Sequence, residues 1–178
     1  MSKNFYHPHH EIFTREYGWM PIDRLFEKYA NKKMLHIGEY DVFTNTFSYT
    51  NNYEVITSSV RSCTYLFGKY VGSMVQFNVH PDCEIMVSVD GGKTKDFLTA
   101  NEIHQLQLDE KVISFYNLES VYDMKNDQTP RLYTEQYKEN YTFNRGILYG
   151  LVTNTGCILT KYRGKFSILG CFVHEDEE

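Results

Sequence analysis

Alanine is almost missing from this chain. Ala30 and Ala100 are the only two, and without the residue that most favours helix an all-helical fold is a poor expectation. Proline numbers four and glycine eleven, so no Pro/Gly-rich linker or low-complexity tract exists, which argues against a disordered or fibrous chain. No apolar run approaches the ~20 residues of a membrane-spanning helix. The opening Met1-Ser2-Lys3-Asn4 leads into histidines instead of a signal-peptide core, so the chain reads as cytosolic where it is made, with no membrane partner. No window has the Lys/Arg density that phosphate neutralisation needs, and the net charge is −5, so nucleic acid is not expected as a partner. Cys63, Cys83, Cys157 and Cys171 contain no Cys-x-x-Cys pair, which argues against structural zinc and for buried free thiols.

What the chain does have is length for one core and many aromatics. Its 178 residues match a single domain, and fifteen Tyr, twelve Phe and one Trp make up 16% of it. Aromatic rings suit the half-buried, pleated surface of a strand. The expected fold is mainly β: an antiparallel β-sandwich or barrel with an N-terminal amphipathic helix over about residues 21–30 and room for a short second helix. Residues 1–19 read as an N-terminal arm without clear periodicity, and 20–178 as one β-rich domain. No internal repeat shows at periods of 20 to 50 residues, which argues against a solenoid or blade array. The bias toward Asn, Lys, Tyr, Phe and Ile resembles translation from an AT-rich genome, such as a virus, a phage or a low-GC bacterium.

The helix expectation rests on Pro21 at a first helical position and on Ile22, Leu25, Phe26 and Tyr29 at one-face spacing. From Met34 onward the period changes to two, with strands expected at Met34–Ile37 and Tyr53–Thr57. Val71, Ser73, Val75, Phe77 and Val79 alternate up to His80-Pro81-Asp82, Ile85, Val87 and Val89 continue, and Asp90-Gly91-Gly92 is a turn signal. A meander of about 70–79, 83–89 and 94–98 follows. Thr99-Ala100-Asn101-Glu102 has capping-box spacing, yet Leu106 and Leu108 alternate like a strand, so that segment is open. Lys111 to Tyr116 reads as a strand and 117–131 as a long polar loop. Ile147–Thr153, Cys157–Tyr162 and Phe166–Val173 read as a C-terminal three-stranded meander. A three-residue loop Arg163-Gly164-Lys165 would place Tyr162 opposite Phe166, Leu159 opposite Leu169 and Cys157 opposite Cys171.

Several motifs invite chemistry. Ser88-x-Asp90-x-Gly92-x-Thr94 is similar to the Asp-box turn of sialidases and other β proteins, where the box is structural; Lys95 stands where its aromatic is expected. Gly92-Lys93-Thr94 lacks the first glycine and following helix of a P-loop. His7, His9 and His10 have metal-ligand spacing without a completing carboxylate or thiol beyond Glu11, so no metal or cofactor is expected. For catalysis the weak candidate cluster is His36, His80, Cys83 and His104. Cys83 lies near His80 and Asp82, but an extended strand would point His80 and Cys83 apart unless Pro81 turns the chain. Tyr133, Tyr137, Tyr141, Phe143 and Tyr149 form a candidate interface.

The function expected from these features is a non-enzymatic structural or interaction protein. A phage or virus particle component (capsid, neck or tail) fits, assembling as a homo-oligomer or with other virion proteins. The alternatives are a small viral hydrolase acting on a nucleotide or glycan, and a glycan-binding β-sandwich.

Overall fold

The computed structural model describes residues 3–28, 35–58, 62–67, 77–118, 132–136 and 140–175. In chain order, β1 (Glu11–Thr14) and β2 (Gly18–Pro21) form a hairpin that runs into helix α1 (Ile22–Lys28), and β3 (Ile37–Asp41) pairs with β4 (Thr46–Thr50). Next come β5 (Glu54–Thr57), β6 (Ser62–Phe67) and β7 (Phe77–Val79). The hairpin of β8 (Glu84–Ser88) and β9 (Asp96–Thr99) leads into α2 (Ala100–Leu108). The rest is β10 (Ser114–Leu118), β11 (Leu132–Gln136), β12 (Asn140–Gly146), β13 (Tyr149–Thr153), β14 (Cys157–Tyr162), β15 (Lys165–Gly170) and β16 (Phe172–Val173).

The protein is mainly β, 50% strand, with antiparallel sheets and two helices, and no closed barrel forms among the described residues. A ten-stranded sheet runs β11-β10-β8-β15-β14-β1-β3-β4, with β2 beside β1 and β9 beside β8. Two smaller sheets run β12-β6-β7 and β16-β13-β5, the pairing of β13 with β16 being parallel. The helix expected over 21–30 is not shown as such: Pro21 ends β2, the helix begins at Ile22, and 29–30 lie outside the described residues. The ambiguous segment after Thr99 is helical, because Thr99 accepts from the Glu102 N–H while the Glu102 carboxylate accepts from Thr99 N–H.

Three sequence expectations of pairing are corrected. Residues 71–76 lie outside the described residues, and the strand they were to continue, β7, pairs with β6 instead of β8. The His80-Pro81-Asp82 turn sends the chain to a different sheet. The C-terminal three strands are one hairpin only, since β13 leaves to pair with β5 and β16. Within that hairpin, Arg163 (φ 51°) and Gly164 (φ 79°) both take left-handed backbone and make a two-residue turn. The register therefore slips by one: Tyr162 faces Lys165, Leu159 faces Ile168, and Cys157 faces Gly170, not Cys171.

That slip decides which side chains share a face. Ile158 and Leu169 enter one core cluster with Ile12, Ile37, Phe77 and Ile85, whereas Cys157, Leu159 and Ile168 enter a second with Phe13, Tyr40, Phe47 and Met86. The β14–β15 hairpin lies between two cores, so both its faces are apolar and neither alternates with water. Asp90 accepts from the Lys93 and Thr94 N–H groups and the Thr94 hydroxyl, as the Asp-box likeness implies. The Ser88 hydroxyl, which donates to Asp90 at 2.7 Å, and then these bonds hold its carboxyl down at about 2.

The chain also contains a repeat at a longer offset than solenoid periods. His7-Pro8-His9-His10-Glu11-Ile12 matches His80-Pro81-Asp82-Cys83-Glu84-Ile85. The hydrogen bonds match as well. His10 N donates to His7 O at 3.0 Å and Cys83 N to His80 O at 2.9 Å. His9 N donates to His7 Nδ1 at 3.1 Å and Asp82 N to His80 Nδ1 at 3.0 Å. Each turn leads into a hairpin and then a helix, β1–β2–α1 or β8–β9–α2.

Candidate functional site

The two halves meet along the segment Lys3–His7, which the sequence presents as an irregular arm. His7 N donates to Asn78 O and His80 N to Phe5 O, both at 2.9 Å, laying the segment against β7. On its other side Tyr6 exchanges two backbone bonds with Tyr149 of β13, 2.7 and 3.0 Å. The arm is thus the strand that joins the two small sheets. β16 lies on the same edge of β13, at Val152 and Thr153, so the arm and the last strand follow one another, with the Phe5 and Phe172 rings 5.2 Å apart.

Side chains fasten this junction. Asn4, 3% exposed, donates from Nδ2 to Cys171 O at 3.1 Å and accepts the Glu84 N–H at 2.9 Å. The Tyr6 hydroxyl donates to Gly170 O and lies 3.4 Å from Cys171 Sγ. A side chain at Gly150 would put its Cβ 2.7 Å from Asn4 O. Gly150→Ala is therefore expected to cost about 1–3 kcal/mol by forcing the arm off β13. The check is a lowered urea midpoint together with faster amide exchange at Tyr6 and Tyr149.

His80 sits at the edge of this junction. Its Nδ1 accepts the Asp82 N–H, so the neutral ring carries its proton on Nε2, and burial lowers its pKa. Burial pushes the thiols of Cys83 and Cys171 well up. The Cys157 thiol, also pushed up by burial to about 12, donates to Tyr40 O at 2.8 Å. His10, the counterpart of Cys83 in the repeat, is fully buried: Nε2 accepts the Asn78 N–H at 3.0 Å and Nδ1 faces Thr160 Oγ1 at 3.1 Å. Thr160 in turn meets Ser167 Oγ at 3.2 Å, and the His10 ring stacks on Tyr162.

The structure does not gather the expected catalytic cluster. His36 pairs with Glu16, Nδ1 to Oε1 at 2.5 Å, and His104 lies on α2 against Tyr65. The Pro81 turn does keep His80 and Cys83 together, but Cys83 points into the core. Tyr137 lies outside the described residues, as do the side chains of Tyr133, Tyr141 and Phe143 on β11 and β12. Tyr149 is half-buried against Phe26 and paired to the arm. Among the described residues no group of three or more His, Cys, Asp or Glu is placed to hold a metal ion. The residues missed by periodicity are Asn4, Tyr6 and Gly150; the repeated His-Pro-x-x-Glu-Ile could have drawn attention to the arm that precedes its first copy, and nothing local marks Gly150.

By sequence the chain matches no protein family and no curated protein. By structure it is similar to the KlbA intein precursor from Methanococcus jannaschii, with a TM-score of 0.70 and 10% identity over 100% of this chain and 98% of that one. It is also similar to the Ssp DnaB mini-intein variant M86, with a TM-score of 0.67 and 11% identity over 99% of each chain. The fold is that of the inteins. A splice-inactive variant of the AceL NrdHF class 3 split intein agrees, with a TM-score of 0.66 and 14% identity over 95% of this chain and 99% of that one. This intein fold overturns the expected phage or virus particle component, and equally the viral hydrolase and the glycan-binding sandwich. Composition misled there, because aromatic richness and scarce alanine describe a sheet and not its use.

Proposed function

We propose that this chain is an intein-type domain that acts on a peptide bond of its own polypeptide, at the arm Lys3–Tyr6. The observation that supports it is the juxtaposition of that arm, the His80 turn and the Gly170–Phe172 segment in a chain with the intein fold. His80, through its Nε2–H, is the hydrogen-bond donor that polarises the amide, and Cys171, beside the Tyr6 hydroxyl, is the nucleophile. Attack of Sγ on an arm carbonyl forms a C–S bond and breaks the C–N bond. The thiol proton goes to solvent, the departing amine takes a proton from solvent, and the His80 Nε2–H stays on the ring as a hydrogen-bond donor to the amide under attack. Because burial holds Cys171 protonated, the rate rises with pH, by up to roughly tenfold per unit.

The test places the whole chain between two folded reporter domains and follows product masses at pH 7 and pH 9. Expected are cleaved or ligated products whose masses map to residues 3–7, forming faster at pH 9. His80→Ala should slow them by about 100-fold or more and Cys171→Ser should abolish the pH dependence, while thermal melts show both variants folded. Fusions that stay intact at both pH values, or a folded His80→Ala variant as fast as the parent, would overturn the proposal.

A further inference from the structure

Cys157 was expected opposite Cys171 as two packed thiols across β14 and β15, and the one-residue slip removes that contact. A different pair takes its place. β15 runs antiparallel to β8 with Leu169 opposite Ile85, and one residue further the position of a Cβ on Gly170 lies 3.0 Å from Glu84 Cβ. Continued one more step, past the ends of both strands, that register would set Cys171 opposite Cys83, where the Asn4 side chain joins Glu84 N–H to Cys171 O. Residues directly opposite on antiparallel strands point to the same side, and Ile85, Leu169, Cys83 and Cys171 all belong to the same core cluster. Both thiols are free, and Tyr6 lies within electrostatic reach of both. Opposed Cα atoms on paired strands stand about 4.5–5.5 Å apart, inside the range a disulfide spans.

We propose that Cys83 and Cys171 are an oxidisable pair that forms a disulfide with a low-molecular-weight disulfide as oxidant. One cysteine, as thiolate, attacks the small disulfide, giving a mixed disulfide and releasing one small thiol. The other displaces the second small thiol and closes the protein S–S bond. The two cysteines lose two protons and two electrons, and the oxidant becomes two thiols. Both cysteines are buried and the Tyr6 hydroxyl lies 3.4 Å from Cys171 Sγ, so the arm must lift for the first exchange, and oxidation is slow in the folded protein. The bridge would then tie β8 to the segment leading into β16, across the end of the arm. This pairing rests on strand register and stands whether or not Cys171 attacks a peptide bond.

The experiment incubates the native full chain with oxidised glutathione and maps peptides without reduction. A linked pair containing Cys83 and Cys171, with a mass lower by two hydrogens, is the expected product. It should raise the thermal midpoint by roughly 5 to 10 °C, reversed by dithiothreitol. Cys157→Ser should leave the link unchanged, and Cys83→Ser should remove it while remaining folded. A map showing only glutathione adducts, or Cys157 linked to Cys171, would overturn the assignment, as would native protein that stays fully reduced while a urea-unfolded sample oxidises. The peptide map does not depend on cleavage of the fusion above, so either result can fail alone.

Discussion

Replacing Tyr6 by alanine is expected to destabilise the protein by about 3–5 kcal/mol, the range for truncating a large, fully enclosed aromatic. The ring is 0% exposed and belongs to the strand that joins two sheets, so little backbone can collapse into the space left. The variant also strips the Gly170 carbonyl of its hydroxyl donor. Tyr6→Phe separates these contributions: it keeps the ring, loses only that bond, and should cost about 1–3 kcal/mol. Urea unfolding of the three proteins decides it. If Tyr6→Ala lay within about 0.5 kcal/mol of the parent, a typical surface effect, the arm would not be the central strand described above.

Acid should unfold this protein through His10. An unfolded histidine binds its proton near pH 6.5, whereas in the folded protein burial, followed by the nearby His7, holds His10 at about 3. Between those values the unfolded state carries the extra proton, so stability is fully present above pH 6.5 and falls as the pH drops toward 3. At about 1.4 kcal/mol per unit, the step from pH 7 to pH 5 removes roughly 2 kcal/mol through this residue. His7 acts in the same direction, its pKa lowered to about 4 by burial and then by His9. Burial is the main cause, and protonating Nε2 would also break the bond it accepts from the Asn78 N–H inside the core. Urea midpoints at pH 7 and pH 5 should converge in His10→Gln, which is weaker than the parent at pH 7 but largely lacks the slope. An unchanged slope in that variant would assign the acid sensitivity elsewhere.

Much of the local structure was legible because local chemistry decides it. The Thr99 capping box, the Asp90 turn and the apolar stripe Ile22, Leu25 and Phe26 each depend on residues within four positions of one another. The hairpin at Arg163 was located correctly and registered wrongly. An arginine at φ 51° is an uncommon choice, so the sequence favoured a longer loop over the two-residue turn that forms. Single slips of that kind exchange every facing pair, which is why the expected Cys157–Cys171 contact gave way to Cys157 opposite Gly170.

The site was hidden for a different reason. Lys3–His7 shows no apolar alternation because its buried face is made of Asn4 and Tyr6, whose polar groups are met by Cys171, Glu84 and Gly170, and its edges are met by Asn78, His80 and Tyr149, all distant in sequence. By itself the sequence determined the β-rich class, the Asp90 turn and the place of the Arg163 hairpin, and it held the Thr99 capping box without deciding between helix and strand, since these are set by side chains acting on their own backbone. Only the tertiary structure decided which strands pair, that the arm is a central strand, and that Cys83, Cys171, Tyr6 and His80 gather at one junction. Those choices are made by burial and hydrogen bonding between segments up to 167 residues apart, and no window of sequence contains both partners.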